Sequence, residues 1–256
     1  MKNILVSGCG GRVGTAIVTR IAASADCRVI AGIDIQAESV GARYDFPVYA
    51  SIDEFDGKAD VVIDCSHHTA AIPLLKYCTE NRVPAVIATT GHNEEETDAI
   101  RAASAVIPVM YSRNMSLGIN LLLELVKKAA ATLGADFNIE IVEQHHNKKL
   151  DAPSGTALML ADAAKSVRED SEYVYDRHAV RRERGENEIG IHSVRGGTIV
   201  GEHEVIFAGQ DEIVRISHSA YSRDVFATGA VRAALYLADV GRVGMYTMSD
   251  MIADGK

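Results

Sequence analysis

The sequence has no tryptophan, and aromatic residues make up only 5% of its 256 residues. Proteins that bind single-stranded nucleic acid stack the bases on aromatic side chains, so a site of that kind is not expected. Basic residues are also outnumbered: 26 Lys and Arg stand against 35 Asp and Glu, which gives a net charge of −9. Because nucleic acids and anionic membranes attract basic surfaces, neither is an expected partner.

Cysteines and long apolar runs are scarce as well. Cys9, Cys27, Cys65 and Cys78 form no CxxC pair and have no histidine at zinc-ligand spacing, so buried reduced thiols and no metal site are expected. No apolar run approaches the roughly 18 residues of a membrane span. Glycines interrupt the N-terminal apolar stretch too early for a signal peptide, and the expected location is the cytoplasm.

Short apolar runs alternate with segments of helical period over the first 115 residues. Continuous Val/Ile runs separated by helices are typical of a parallel sheet that is covered on both faces. The sequence therefore predicts an α/β fold with a Rossmann-type doubly wound sheet. The predicted strands are residues 3–7, 28–33, 60–64, 85–89 and 106–111, and the predicted helices are residues 13–23, 69–80 and 94–104.

The second half of the chain has a different pattern, which predicts an α+β unit with an open mixed sheet. Residues 188–219 alternate between apolar and polar side chains in three segments, and this predicts a run of antiparallel strands. The charged residues 168–187 are expected to form an exposed loop. Helices are predicted over residues 117–133, 154–167 (with Ser154 as N-cap) and 224–238, and a further strand over residues 137–142.

A glycine motif lies between the first predicted strand and the first predicted helix. Gly8, Gly11 and Gly14 follow a GxxGxxG spacing, and Asp34 ends the second predicted strand. Glycines let the backbone approach a pyrophosphate, and a carboxylate at the end of that strand accepts hydrogen bonds from ribose hydroxyls. In this context dinucleotide binding is favoured over a purely structural turn. Because no arginine follows Asp34 to pair with a 2′-phosphate, NADH is favoured over NADPH.

A second motif, EQHHNKKLDAPSGTA, spans residues 143–157. It places His145, His146, Lys148 and Lys149 directly before a predicted helix start. Positive charge and a helix N-terminus both favour carboxylate or phosphate groups, and a histidine can donate a proton near neutral pH. The alternative interpretation is a solvated loop. A two-histidine metal site is not expected, because adjacent side chains of a strand point in different directions.

Two weaker signals follow predicted strands. Residues 88–91 (ATTG) come after the fourth strand, and His67 and His68 come after the third. The carboxyl ends of parallel strands are where such sheets bind ligands. A strand-ending turn is the alternative for residues 88–91, and for the two histidines a plain loop is the favoured interpretation.

Taken together, these segments resemble the 4-hydroxy-tetrahydrodipicolinate reductase family, also called dihydrodipicolinate reductase, of the diaminopimelate route to lysine. The resemblance covers nearly the whole chain through GCGGRVG, ATTG, SRNMSLGIN, EQHHNKKLDAPSGTA and VRGGTIVGEHEV. It implies the NADH- or NADPH-dependent reduction of a small dicarboxylate, 4-hydroxy-2,3,4,5-tetrahydrodipicolinate, to 2,3,4,5-tetrahydrodipicolinate with loss of water. It also implies a homotetramer. The implied domains are a dinucleotide-binding domain (1–116), a substrate-binding and tetramerisation domain (117–222) and a C-terminal helix that returns to the first domain (223–256).

The resemblance also implies roles for single residues. His145 would donate and accept a proton, with Lys149 as the second proton donor. His146, Gly155 and Thr156 would bind the substrate carboxylates. The implied cofactor-binding residues are Gly8, Cys9, Gly10, Gly11, Arg12, Val13, Asp34, Ala88, Thr89, Thr90, Ser112, Arg113, Asn114 and Met115.

Several positions depart from the family's usual pattern. Ala88 stands where the family usually has glycine, Arg113 is unusual in its segment, and residues 65–68 (CSHH) replace a Phe-Thr-x-Pro run. Two other classes stay open: another two-domain NAD(P) oxidoreductase, and a non-catalytic regulator that responds to NAD. A semialdehyde dehydrogenase would need a nucleophilic cysteine at the domain junction, and no cysteine follows Cys78.

Overall fold

The computed structural model of the chain describes residues 1–175, 177–178 and 181–255. These residues divide into two compact units. Unit 1 comprises Met1–Leu117 and the chain from Asp224 onward, and unit 2 comprises Gly118–Arg223. Along the chain, unit 2 is therefore an insertion into unit 1.

The described residues form twelve strands and eight α-helices. The strands are β1 (Lys2–Ser7), β2 (Cys27–Ile33), β3 (Val48–Tyr49), β4 (Val61–Asp64), β5 (Ala85–Ile87), β6 (Pro108–Tyr111), β7 (Asn138–His145), β8 (Glu172–Val174), β9 (Glu188–Arg195), β10 (Gly201–Ala208), β11 (Ile213–Ala220) and β12 (Gly244–Tyr246). The helices are α1 (Arg12–Ala22), α2 (Ala37–Gly41), α3 (Ala71–Asn81), α4 (Glu94–Ser104), α5 (Leu117–Leu133), α6 (Gly155–Lys165), α7 (Asp224–Val240) and α8 (Met248–Ala253).

Unit 1 is built on a seven-stranded parallel sheet in the order β12-β6-β5-β4-β1-β2-β3. Its strands are short Val/Ile runs because both faces of the sheet are buried. Ile4 and Val6 pack into the core on one face, while Leu5 packs into the core on the other. The order of strands reverses between β1 and β4, where doubly wound sheets bind their ligands. The predicted Rossmann-type sheet is confirmed.

Unit 2 contains a five-stranded mixed sheet in the order β11-β10-β7-β9-β8. Along β7 and β10, buried residues alternate with more exposed ones. The buried side chains pack with those of α5 and α6 in a core that is separate from the core of unit 1. The predicted mixed sheet is confirmed. The antiparallel pairing predicted for all of residues 188–219 is wrong for β9, which runs parallel to β7. The connection from β7 to β9 is long and contains α6, so the chain can cross over and re-enter in the same direction.

The charged stretch 168–187 is not simply the exposed loop that the sequence predicts. It contains β8, which pairs in parallel with β9. The guanidinium of Arg184 donates hydrogen bonds to the side chains of Glu140 (2.8 Å) and Asn138 (2.6 Å). Arg182 pairs with the buried carboxylate of Glu188 at 2.6 Å. Carboxylates of the sheet therefore bind arginines of this segment. Residues 176, 179 and 180 of the stretch lie outside the described residues.

Most predicted elements recur within two or three residues of their expected bounds. The missed elements, α2, β3, β8, β12 and α8, each have at most six residues. Segments this short carry too few positions for a period of 2 or 3.6 residues to show. In the described part of the chain, no helix combines the length and the hydrophobicity needed to cross a bilayer.

Gly229 shows how tightly α7 packs within unit 1. A Cβ atom at this position would lie 1.6 Å from the carbonyl oxygen of Met115. We expect Gly229→Ala to lower the free energy of unfolding by about 3 kcal/mol, because backbone has to shift to admit the methyl group. Gly196→Ala is the matched control, since a Cβ there meets no atom within 4 Å. Denaturant unfolding of both variants tests this, and equal midpoints would contradict it.

Candidate active site

The glycine turn of unit 1 follows β1 and precedes α1. Gly8 has a φ of +80°, and a Cβ there would lie 2.7 Å from the carbonyl oxygen of Cys65. A Cβ at Gly10 would lie 2.6 Å from Oδ2 of Asp34. Gly11 is the N-cap of α1 and supplies no side-chain hydrogen bond to the helix. The N–H groups of Gly8, Gly10 and Gly11 already donate within unit 1, so what this turn offers to an anion is the start of α1.

Asp34 closes β2 beside this turn. Its Oδ2 accepts a hydrogen bond from the N–H of Gly10 (2.9 Å), and its Oδ1 accepts one from the N–H of Gln36 (3.0 Å). These two bonds fix the carboxylate at the rim of a cavity of about 440 Å³. Gly8, Gly10, Gly11 and Asp34 all line this cavity, so the structure brings together four of the predicted cofactor-binding residues.

Other predicted cofactor residues of the same segment are placed differently. Cys9 is fully buried, and burial raises the pKa of its thiol to about 11. Its carbonyl oxygen accepts a hydrogen bond from the Tyr44 hydroxyl at 2.9 Å. Arg12 and Val13 are exposed on the first turn of α1. These three residues are not among those that line the cavity.

The remaining predicted cofactor residues follow β5 and β6. Ala88 donates its N–H to the carbonyl of Asp64 (2.8 Å), Thr89 is buried and Thr90 is exposed. After β6, the hydroxyl of Ser112 donates to the carbonyl of Asn114 (2.8 Å). Arg113 is exposed and Met115 is buried. Both segments lie at the carboxyl ends of neighbouring strands, outside the lining of the cavity.

The residues after β4 contribute more to this site than the sequence indicates. Cys65, Ser66 and His67 line the cavity together with the glycine turn. Nδ1 of His68 lies 2.8 Å from the buried carboxylate of Glu96, which also caps α4. His67 lies in the loop after β4, and His68 begins a single turn of 3-10 helix. The available signal was their position at a strand end.

In unit 2, His145 ends β7 and lies two residues after Glu143. Alternate residues of a strand share a face, so both side chains point to the buried side of the sheet. Nδ1 of His145 lies 2.5 Å from Oε2 of Glu143. The N–H of Ser154 donates to Oε1 of the same carboxylate at 3.1 Å. Glu143 is not among the site residues predicted from the sequence, although its position two residues before His145 was a usable signal.

Arg195 completes this cluster from the neighbouring strand. In the register of β7 and β9, His145 is opposite Arg195. The guanidinium donates to both oxygens of Glu143, at 2.9 and 2.7 Å, and to the carbonyl oxygen of Asp151 at 2.6 Å. This two-pronged contact is the strong geometry for an arginine and a carboxylate. Arg195 lies in the VRGGTIVGEHEV segment that carries the resemblance, but no local pattern indicates its contact with Glu143, because a parallel crossover creates that contact.

Burial and charge act in opposite directions on the two central groups. Burial alone would raise the pKa of Glu143, but hydrogen bonds from Arg195, Ser193 and His145 outweigh it and lower that pKa to about 2. Burial lowers the pKa of His145, against the opposing effect of Glu143, and Lys149 and Arg195 lower it further. The favoured state at neutral pH is therefore an ionised Glu143 beside a neutral His145.

The start of α6 adjoins this cluster. Ser154 is the N-cap of α6, and its hydroxyl accepts the N–H of Ala157 at 3.1 Å and lies 3.0 Å from Nε2 of His203. Burial and the nearby His145 lower the pKa of His203 to about 4. Gly155 and Thr156 form the first turn of α6. The predicted N-cap is present, and the structure places the predicted carboxylate-binding turn next to the His145 cluster.

The basic residues of the motif are less free than their sequence suggests. Lys149, whose side chain is 21% exposed, pairs with the carboxylate of Asp151 at 2.8 Å. Nε2 of His146 accepts a hydrogen bond from Arg223 at 3.3 Å. A substrate carboxylate would have to compete with Asp151 for Lys149. Asp151 is 59% exposed, so water can solvate it once it is displaced.

These two sites define a class of protein: oxidoreductases that use a nicotinamide dinucleotide and combine a doubly wound unit with an α+β unit. The family model for the N-terminus of dihydrodipicolinate reductase matches residues 2–115, and the model for its C-terminus matches residues 118–252. The chain belongs to the dihydrodipicolinate reductase family. This confirms the resemblance found in the sequence.

Individual relatives agree with this assignment. A 4-hydroxy-tetrahydrodipicolinate reductase from Caldanaerobacter subterraneus subsp. tengcongensis is 50% identical over all of both chains. One from Clostridium novyi is 44% identical over 98% of both chains. Among solved structures, a dipicolinate-bound dihydrodipicolinate reductase from Paenisporosarcina sp. TG-14 has a TM-score of 0.80 and 23% identity, and covers 96% of this chain and 97% of that one. The last comparison shows that the fold is shared.

The depressed pKa of Glu143 predicts acid sensitivity. Its pKa falls from an ordinary value of 4.5 to about 2 on folding, so the unfolded chain binds the proton first. The stability supplied by the ion pair with Arg195 is fully present above pH 4.5 and is lost as the pH falls toward 2. Unfolding of the wild type and of Glu143→Gln between pH 2 and 7 measures this contribution. We expect a shallower acid dependence in the variant, and identical slopes would contradict the assignment.

Proposed function

We propose that this chain catalyses the NAD(P)H-dependent reduction of 4-hydroxy-2,3,4,5-tetrahydrodipicolinate to 2,3,4,5-tetrahydrodipicolinate, in lysine biosynthesis through diaminopimelate. The reaction consumes one hydride and one proton and releases one water. The observation that carries the proposal is the cluster in unit 2, where His145, Lys149 and the first turn of α6 lie together in a chain whose family is dihydrodipicolinate reductase.

The turn of unit 1 fits a dinucleotide. Gly8 and Gly10 leave space that a Cβ would fill. Helix α1 begins at Arg12, and no side chain caps the N–H groups of its first turn. Both features suit a pyrophosphate. When bound, the reduced nicotinamide supplies the hydride. The predicted cofactor-binding residues that follow β5 and β6 do not line the cavity. They are proposed to contact the part of the cofactor that extends out of it.

Within this proposal NADH is the preferred cofactor. The carboxylate of Asp34 is held at the cavity rim by two backbone N–H groups and can accept from the ribose hydroxyls. A 2′-phosphate would meet this negative charge. Ile35 and Gln36 follow Asp34 and provide no cation.

His145 is proposed as the group that donates and accepts the proton. Burial lowers its pKa, so the ring is neutral at neutral pH and can accept a proton and return it during the reaction. His146 and the first turn of α6 at Gly155 and Thr156 are proposed to bind the two substrate carboxylates, and Lys149 is proposed as the second proton donor. Two anions suit a site built from cations and a helix N-terminus.

The homotetramer and the cytoplasmic location are also proposals. The homotetramer is the assembly that the resemblance to the dihydrodipicolinate reductase family implies. All four cysteines are free thiols, as is usual in a reducing compartment.

Replacing His145 tests the proton-transfer role. We expect His145→Gln to lower kcat by about 100-fold or more, because general acid–base catalysis typically contributes at least that factor. Binding of NADH, followed by fluorescence, should stay unchanged. The matched control is His192→Gln, since His192 also pairs with a glutamate but on the other face of the sheet. Near-normal turnover of His145→Gln, followed by the loss of NADH absorbance, would overturn the role.

Replacing Asp34 tests the cofactor preference. We expect Asp34→Ala to raise the KM for NADH about tenfold and to change the KM for NADPH less, because the carboxylate opposes a 2′-phosphate. Glu38→Ala is the control, since Glu38 is an exposed carboxylate of nearby α2 that does not line the cavity. Steady-state kinetics with both cofactors decide the point, and equal effects would remove the argument for NADH.

A further inference from the structure

The carboxylate of Glu143 is held by hydrogen bonds from three residues of unit 2. The side chain is fully buried, and its two oxygens accept hydrogen bonds from Nδ1 of His145, both terminal nitrogens of Arg195 and the N–H of Ser154. A carboxylate with this many donors is fixed in position, and so is the imidazole that donates to it.

The contact decides which nitrogen of His145 carries a proton. An ionised carboxylate can only accept, so at 2.5 Å the proton of the neutral ring must lie on Nδ1. Nε2 is then the nitrogen that exchanges a proton with a ligand. Within the described part of the chain, Nε2 has no hydrogen-bond partner.

Gly201 keeps the surroundings of Nε2 open. It is the first residue of β10, and a Cβ there would lie 3.1 Å from Nε2 of His145. A larger side chain would therefore crowd this nitrogen. The fold binds one side of the imidazole and leaves space at the other.

Arg195 keeps the proton on the histidine. Its two hydrogen bonds stabilise the ionised form of Glu143, so the carboxylate orients His145 without removing its proton. The charged and titratable groups around His145 are Glu143 and Arg195 on the sheet, Lys149 on the following loop, and His203 on β10. Glu143 is the one negative charge among them.

We propose that Glu143 is a positioning residue for catalysis: it holds His145 in the Nδ1–H form and aims Nε2 at the reacting group. The inference rests on the proposed role of His145 in proton transfer. A base whose ring is oriented by a buried carboxylate is the arrangement by which other enzymes prepare a histidine for catalysis.

The test uses Glu143→Gln in the full-length protein. Glutamine keeps the size and one acceptor for Arg195, but its amide has no negative charge for His145. We expect kcat to fall about 100-fold while KM changes less than about threefold, because the substrate-binding groups stay in place. The limb of the pH–rate profile that reports His145 should move to lower pH, because loss of the carboxylate charge lowers the pKa of that ring.

Glu140→Gln is the matched control. Glu140 lies on the same strand but on the opposite face, where it pairs with Nε2 of His192 at 2.7 Å and with Arg184 at 2.8 Å. The same substitution there removes an equivalent His–Glu–Arg contact away from His145. Equal losses of activity in the two variants would assign Glu143 a structural role only and overturn the proposal.

A measurement on the wild type decides the matter even if Glu143→Gln does not fold. Nitrogen-15 NMR of histidine-labelled protein distinguishes the two neutral forms of the ring, and the signals of His145 are identified by their absence in His145→Gln. We expect the Nδ1–H form between pH 7 and 8. The Nε2–H form, or an unchanged kcat and pH profile in a folded Glu143→Gln, would overturn the proposal.

The outcomes separate this inference from the proposed function. If His145→Gln keeps full turnover, the proposed role of His145 fails, and the positioning role fails with it. If His145→Gln is inactive and Glu143→Gln is normal, the proposed function stands and only the positioning role fails. Loss of kcat in both variants, with the pH limb shifted in Glu143→Gln, supports both.

Discussion

The carboxylate of Glu143 joins three segments that are far apart along the chain. It receives hydrogen bonds from His145 on its own strand, from Arg195 on β9 and from the N–H of Ser154 at the start of α6. A buried charge is costly unless it is paired and hydrogen-bonded, so removing any one of these partners would leave the group unsatisfied. This one buried group therefore links the three segments from which the unit 2 site is built.

The two units arrange their sites by different means. Unit 1 relies on backbone: glycines leave room beside Asp34, and the start of α1 presents a positive potential to a phosphate. Unit 2 relies on side chains, whose charges are balanced within the cluster around Glu143 and Arg195. This difference suits the proposed ligands, because a pyrophosphate needs many weak donors, whereas proton transfer needs one histidine in a defined state.

Local patterns were reliable where one segment carries the whole signal. The GxxGxxG turn, Asp34 and the helix start at Ser154 each combine a recognisable residue type with a short spacing, and the structure shows all three as folded features. Local patterns were not reliable for residues 168–187. Their charge suggests solvent exposure, but the sheet offers Glu140 and Glu188 as partners, which lie elsewhere in the sequence.

The sequence by itself determined the doubly wound sheet, the glycine turn and the His–Lys motif, because these depend on residue types within a few positions of each other. Only the tertiary structure decided that β9 runs parallel to β7. This pairing sets Arg195 beside His145, although about 50 positions of the chain separate them. It also decided that Lys149 is paired with Asp151 and that Nδ1 of His145 lies against the carboxylate of Glu143. Contacts of this kind follow from strand order and register, which periodicity along a single segment does not encode.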